Sequence, residues 1–393
     1  MKKILFVIDS LSSGGAEKSL ISLLSLFDFN RYEVDLLMFS KKGLYLPLIP
    51  KSVRVLETPS FLGKMAAGIP ELIKKKEFEV LYTRIGASLA LRNPSKTSRM
   101  HRSQISWKWL SKGVGGLAGE YDAAIAYSQG MPTYFVAEKV RSRKKFCWVN
   151  TDYKTAPYNN SFDAPYYEQY DQVVAVSDVN KEVFVREMPL AQKKTTVVYD
   201  IVSPELIRSM ALQGESFNDG FRGLRLLTIG RLVEVKGYDL AVEACRLLVD
   251  RGYDLKWYII GEGPWRDKLI EMIRRLRLEE RVVLLGTYHN PYGFLKQCDI
   301  YVQPSRYEGF GLAIAEARVL RKPIVATNFT TVHNQLKNRE NGLIVGMTPG
   351  EISAGIQELI DDGGLRRDLC NHLAAEQIGT EEEIFKVYKL IEA

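Results

Sequence analysis

Short apolar or β-branched runs alternate along the chain with longer stretches in which apolar residues recur every three or four positions. In the first half the short runs cover residues 4–8, 34–39, 53–56, 80–83, 123–127, 146–149 and 173–176. Their length and nearly continuous apolar character predict buried parallel strands. Between them, residues 16–27, 70–76, 132–140 and 181–188 carry helical spacing. A polar, glycine-containing stretch at 213–223 interrupts the pattern, which then starts again with predicted strands at 224–229, 256–260, 282–285, 299–302, 324–326 and 343–345. Helices are predicted at 239–249 and 265–276, where apolar positions line one face and charged residues the other. This repeated strand and helix alternation predicts an α/β protein of two doubly wound, Rossmann-like domains, residues 1–200 and 201–379, facing across a cleft. In such sheets ligands bind outside the carboxyl ends of the strands, so the strand-to-helix loops are the places to look for chemistry.

Composition narrows this picture. Of 393 residues, 46% are hydrophobic and 26% charged, enough for two cores without disulfide staples and too apolar for a disordered chain. Cys147, Cys245, Cys298 and Cys370 lie far apart, with no pair at metal-ligand or redox spacing, as expected in a reducing compartment. The apolar run after Lys2 and Lys3 ends at Asp9, too short for a signal-peptide core, and no apolar stretch approaches the roughly 18 residues of a membrane span. The chain therefore reads as soluble, with any membrane contact peripheral. The net charge of +7 is uneven: residues 1–200 hold 29 Lys and Arg against 20 Asp and Glu, and the rest hold 25 against 27. A basic first half attracts phosphate-bearing ligands, nucleic acid or an anionic membrane, and charge alone does not choose among them.

Three loops carry candidate chemistry. The first, after the opening strand, contains Gly14 and Gly15 before a helix, which lets a ligand approach the backbone and offers unpaired amides to an anion. It lacks the spacing of a dinucleotide fingerprint, and a merely tight turn is the plain alternative. The second runs from Gly230 to Gly237 and sets Arg231 and Lys236 five residues apart, a planar donor fork and a mobile point charge suited to a diphosphate leaving group. A solvated surface pair is the alternative there. In the third, Glu308 precedes Gly309 and Gly311, and helical character begins at Leu312, so amides at that helix start point toward phosphate oxygens. Glu316, about one turn inside, is placed to accept hydrogen bonds from sugar hydroxyls.

With these residues in hand, the sequence resembles the retaining glycosyltransferases of family 4, which have the GT-B fold. The likeness spans nearly the whole chain and is most specific at the Glu308 to Glu316 motif and the Gly230 to Gly237 segment, with support from Gly261 to Pro264 and from Gly14 to Glu17. The resemblance implies that Arg231 and Lys236 contact the nucleotide diphosphate, Glu308 the donor sugar and Glu316 the ribose. It implies that Gly15, Gly261 and the backbone of Gly311 and Leu312 approach the donor, and that the final helix, 380–393, packs back on the first domain. At the end of the sixth predicted strand, relatives commonly place histidine where this chain has Asn150; an amide still donates and accepts but cannot act as an acid or base near neutrality. Gly14, Asn150 and Asp152 are expected on the acceptor side, and Asn150 is counted with Arg231, Lys236 and Glu308 as catalytic.

The activity implied is transfer of a sugar from a nucleotide diphosphate donor, uridine-linked, to a glycan or lipid-linked acceptor of bacterial surface polysaccharide. No Asp-x-Asp pair occurs, so no metal and no other cofactor is expected, and Arg231, Lys236 and helix amides must neutralise the diphosphate. Between Arg84 and Lys112 lie seven Lys or Arg and no acid, with Trp107 and Trp109, a composition suited to an anionic bilayer surface. A solvated helix face is the alternative, and no nucleic-acid module accompanies the charge. The expected location is cytoplasmic, at the inner face of the membrane. Two rival readings stand beside this one: a catalytically weak partner subunit, motivated by Asn150, and a sugar-nucleotide epimerase of related fold.

Overall fold

The structure is a computed structural model and describes residues 1–12, 14–65, 67–92, 100–151, 153–154 and 156–393. Two compact units divide the chain. The first holds Met1–Tyr199 and Glu382–Ala393, the second Asp200–Glu381.

Seven parallel strands form the sheet of the first unit: β1 (Lys2–Ile8), β2 (Tyr32–Met38), β3 (Val53–Val55), β4 (Tyr121–Ala126), β5 (Ser142–Val149), β6 (Gln172–Ala175) and β7 (Thr195–Val197). Their order is β3-β2-β1-β4-β5-β6-β7, so the chain reverses direction of travel between β1 and β4. β1 is buried from Ile4 to Ile8, as a central parallel strand covered on both faces must be. One charge sits inside this sheet. Asp35 in β2 is wholly buried, receives two hydrogen bonds of 2.7 and 2.6 Å from Arg54 on β3, and accepts a third, 2.8 Å, from the Tyr121 hydroxyl on β4. These donors compensate the cost of taking a carboxylate out of water.

The second unit repeats the plan with β8 (Leu224–Ile229), β9 (Leu255–Ile260), β10 (Val282–Gly286), β11 (Ile300–Gln303), β12 (Ile324–Thr327) and β13 (Leu343–Val345), all parallel in the order β10-β9-β8-β11-β12-β13. Its reversal point lies between β8 and β11, so the loops that follow these two strands open side by side at the carboxyl edge. That is where open α/β sheets bind ligands.

The final helix, Glu383–Glu392, belongs to the first unit. It buries Ile384, Val387 and Ile391, stacks Tyr388 on Tyr32 at 5.3 Å between ring centroids, and sets Glu392 among Lys2, Arg31 and the Tyr32 hydroxyl at 2.8, 3.1 and 2.6 Å.

Two local expectations fail. Residues 80–83 are not a strand but part of the helix Phe78–Arg92, which directs Val80, Thr83 and Ala87 inward while leaving other apolar side chains outside. A helix apolar on two faces reads as a continuous apolar run, the pattern of a buried strand. Trp107 is not at a surface: its helix, Arg102–Leu110, turns the indole into the core, fully buried, and leaves Arg102 and Lys108 exposed. The basic residues Lys96 and Arg99 lie outside the described residues.

If the last helix is an integral part of the first unit, Ile391→Ala will cost about 2–3 kcal/mol through lost burial and a residual cavity. The check is urea denaturation, where the midpoint should fall with the slope unchanged.

Candidate functional site

The loop after β8 is shaped by contacts that tolerate no side chain. Gly237 adopts φ 65°, and a Cβ there would lie 1.9 Å from the Pro304 carbonyl oxygen. The loops after β8 and β11 thereby touch backbone to backbone. Arg306 reinforces the junction: its amide donates to Val235 O at 2.7 Å, and its guanidinium grips Asp239 through two bonds of 2.8 and 2.7 Å. Gly261, after β9, is equally constrained, since a Cβ would come within 1.9 Å of Gly230 O. Gly261 thus serves as the wall that lets the Gly230 loop lie flat.

This packing brings Lys236 and Glu308, 72 positions apart in sequence, into a two-point ion pair with Nζ to Oε distances of 2.7 and 2.6 Å. Glu308 is nearly buried and Lys236 partly so. Oε1 of Glu308 also accepts from Gln303 Nε2 at 2.8 Å and from Ser305 Oγ at 2.7 Å, while Gln303 Oε1 takes the Tyr301 hydroxyl. Burial, with the charge of Glu308 adding to it, pushes the Tyr301 hydroxyl well above its ordinary range, so it remains a donor. The backbone is held as well: Thr331 Oγ1 donates to Glu308 O at 2.9 Å. A carboxylate with this many donors has one orientation, which is what a ligand-positioning group needs. The ammonium has three donors, and two contacts to Glu308 leave one for another anion.

Around this pair, Arg231 is exposed and makes no ion pair among the described residues. Gly311 caps the helix Leu312–Val319 at φ 88°, ψ 45°, its carbonyl accepting from Ile314 N at 2.9 Å, and no side chain caps the helix among the described residues, which leaves the Leu312 and Ala313 amides available. Glu316 is buried in that helix, with the Tyr292 hydroxyl 3.3 Å from Oε1. The expected second-unit residues thus fall on adjoining loops at one sheet edge. Gln303, Ser305, Tyr301 and Thr331, which complete the frame, were not anticipated. Their only signal was a Gln at the end of an apolar strand followed two positions on by a Ser.

The corresponding edge of the first unit holds the remaining candidates. Gly14 precedes the helix Gly15–Ser25, and the Glu17 carboxylate folds back over it, 2.1 Å from where a Cβ would stand. Gly15, the first helical residue, is exposed. Asn150 follows β5, and Gln129 Oε1 clamps its amide at 3.0 Å and that of Thr151 at 2.8 Å. Both polar atoms of the Asn150 side chain are shielded from solvent with no partner among the described residues. Asp152 lies outside the described residues. Asp9, at the end of β1, was not anticipated. It is exposed, yet crowding by the surrounding protein, with the charge of Glu17 adding, raises its carboxyl above the ordinary 3.8 against the opposing Ser128 hydroxyl.

Comparison with known proteins follows this geometry. Residues 222–374 match the family model described as glycosyl transferases group 1, a span that contains Arg231, Lys236, Glu308 and Glu316. Over 94% of its length the chain is 26% identical to the Campylobacter jejuni N-acetylgalactosamine-N,N'-diacetylbacillosaminyl-diphospho-undecaprenol 4-alpha-N-acetylgalactosaminyltransferase, covering 93% of that protein. It is 30% identical to the Staphylococcus aureus capsular polysaccharide biosynthesis glycosyltransferase CapM over 143 residues, 36% of this chain and 38% of the relative. Among solved structures, Anabaena Alr3699/HepE in complex with UDP-glucose superposes over the whole of both chains with a TM-score of 0.71 at 18% identity. The superposition shows a shared fold of two parallel-sheet α/β units, the GT-B arrangement, and the second unit is similar to the group 1 glycosyl transferases over residues 222–374.

Asp9 supplies a test of the first-unit edge. Its folded value stands above the ordinary 3.8, so between about pH 4 and pH 7 the folded state holds a proton that the unfolded state has lost. That contribution to stability is complete below pH 4 and declines as pH rises through 7. Melting temperatures of Asp9→Asn should therefore decline less than wild type across this range; parallel curves would refute the assignment.

Proposed function

We propose that the protein is a retaining glycosyltransferase of family 4 type that moves a sugar from a UDP-linked donor to a glycan or lipid-linked acceptor in bacterial surface-polysaccharide synthesis. The observation that carries the reading is the Lys236–Glu308 pair at the reversal point of the second sheet, fixed by Gln303 and Ser305 beside the free amides at Leu312. The relatives' names supply the donor and acceptor classes: UDP-glucose in the Anabaena complex, an undecaprenol diphosphate glycan in the Campylobacter enzyme.

In this reading the second unit holds the nucleotide. Glu316 takes the ribose hydroxyls, the exposed Arg231 and the third donor of Lys236 meet the diphosphate, and the helix amides at Gly311 and Leu312 add their partial positive charge. As the bond between the anomeric carbon and the phosphate oxygen breaks, negative charge gathers on the leaving diphosphate, and these groups stabilise it without reorganising. No cofactor takes part. Glu308, held by its donors, accepts from the donor sugar and fixes its pose. The acceptor hydroxyl attacks from the face the diphosphate leaves, its proton passing to the departing phosphate, so anomeric configuration is kept and no protein nucleophile is needed. The first unit holds the acceptor, with Gly14 and Gly15 allowing close approach and Asn150 offering, in place of an imidazole, an amide that has no partner among the described residues. Asp152 adjoins it in sequence. An acceptor on a lipid brings the enzyme to the cytoplasmic face of the membrane, where the basic stretch from Arg84 to Lys112 meets anionic headgroups.

Lys236→Ala and Glu308→Ala should each lower kcat/KM for transfer by at least about 100-fold, corresponding to roughly 3 kcal/mol of transition-state stabilisation. Product formation from UDP-sugars by the purified protein measures this. Wild-type rates in both variants would remove the site assignment; turnover only after adding a second protein would favour the partner-subunit reading.

A further inference from the structure

The helix Phe78–Arg92 is amphipathic in the wrong sense for a helix that only covers a sheet. Its inward positions are Val80, Thr83 and Ala87. Its outward positions, at successive spacings of four, three and four, are Phe78, Tyr82, Ile85 and Leu89, exposed to 62%, 69%, 46% and 61%. The larger apolar side chains thus face solvent, and they lie on one stripe, as the 3.6-residue repeat requires. Scattered single apolar residues on a surface need no explanation, but a contiguous stripe of four does. The adjoining helix Ile69–Lys74 exposes Ile69 and Ile73 as well.

Charge around the stripe selects its occupant. Residues 60–112 contain eleven Lys or Arg against three Glu. Two of these acids are already neutralised, Glu71 by Lys75 at 2.7 Å and Glu77 by Lys64 at 2.6 Å. Exposed Lys74 and Lys76 precede the stripe, Arg92 ends it, and Arg102, Lys108 and Lys112 are exposed on and after the next helix. That next helix also lays Trp109 over Gly86, where a Cβ would meet the indole at 2.2 Å, and Tyr82 meets the same ring edge to face at 5.8 Å. An apolar ridge bordered by aromatic rings and exposed cations matches the layering of an anionic bilayer: acyl chains, interfacial zone, phosphate headgroups. A protein partner gives no reason for so one-sided a charge. At 15 residues and about 1.5 Å of rise each, the helix spans too little to cross a hydrocarbon core of about 30 Å, so it must lie in the plane.

We propose that the helix Phe78–Arg92 is a membrane-docking element that inserts Phe78, Tyr82, Ile85 and Leu89 into the surface of an anionic bilayer, with the surrounding Lys and Arg on the headgroups. It deepens the reading of a lipid-linked acceptor and rests on that reading for its purpose, because docking would hold the enzyme beside a substrate confined to the membrane.

The test is flotation of the full-length protein with vesicles of phosphatidylcholine alone or with 30% phosphatidylglycerol, roughly the anionic content that gives basic segments measurable attraction. Wild type should float with the anionic vesicles and little with the neutral ones, and binding should weaken as salt rises. Ile85→Ser/Leu89→Ser should lower anionic-vesicle binding by at least about tenfold, since both side chains leave the acyl boundary. Because both are exposed, its melting temperature and its stabilisation by UDP should match wild type. Equal flotation of variant and wild type, or no flotation of either, overturns the proposal. So does a wild-type dimer in sedimentation that the variant dissolves, since the stripe would then cover a second copy. Loss of UDP stabilisation in wild type would instead count against the proposed function, whatever the vesicles report.

Discussion

The Lys236–Glu308 ion pair is the interaction on which the candidate site depends. It exists because the second sheet reverses its winding between β8 and β11, which opens the loops after these strands beside each other. The approach of Gly237 to Pro304 then holds these two loops together, while Gly261, after β9, backs the Gly230 end of the first, and each contact leaves no room for a Cβ. The pair is the chemical consequence. A nearly buried carboxylate would be costly alone, but an ammonium, an amide and a hydroxyl meet it, and one ammonium donor is left over. On the proposed function, the same charges that satisfy the fold are those that meet the diphosphate.

The first unit is organised differently. Its sheet is secured by a buried acid, Asp35, between Arg54 and Tyr121, and by the last helix of the chain, which returns to stack Tyr388 on Tyr32 and to seat Glu392 among two cations and a phenol. Its strand-end loops carry an exposed Asp9 carboxyl raised above its ordinary range and an Asn150 side-chain amide with no partner among the described residues. On the proposed function, the Asn150 amide is a place where substrate, rather than protein, completes the hydrogen bonding.

The sheets were legible because central parallel strands are apolar on both faces, and the runs that form β1, β8 and β12 announce themselves. The site loops were legible because glycine and charge fall directly after such runs. What escaped did so for physical reasons. β7 is three residues long and begins with two threonines, so no apolar run marks it. The helix Phe78–Arg92 was mistaken for a strand over 80–83 because it is apolar on its outer face as well, a departure from economy that itself needed a functional explanation. Trp107 looked interfacial beside its basic neighbours, yet periodicity alone could not say which face its helix buries. Gln303 and Ser305 escaped because their importance lies in meeting Glu308, a relation made by the turn after β11 and invisible to spacing.

The most direct measurement is calorimetric titration of UDP, without acceptor or membrane, into wild type and Lys236→Ala. If the pair at the second sheet's reversal point is the diphosphate site, wild type binds one UDP per chain and the variant binds at least about tenfold more weakly, a loss of roughly 1.4 kcal/mol. Undiminished UDP affinity in a folded Lys236→Ala protein would contradict the account.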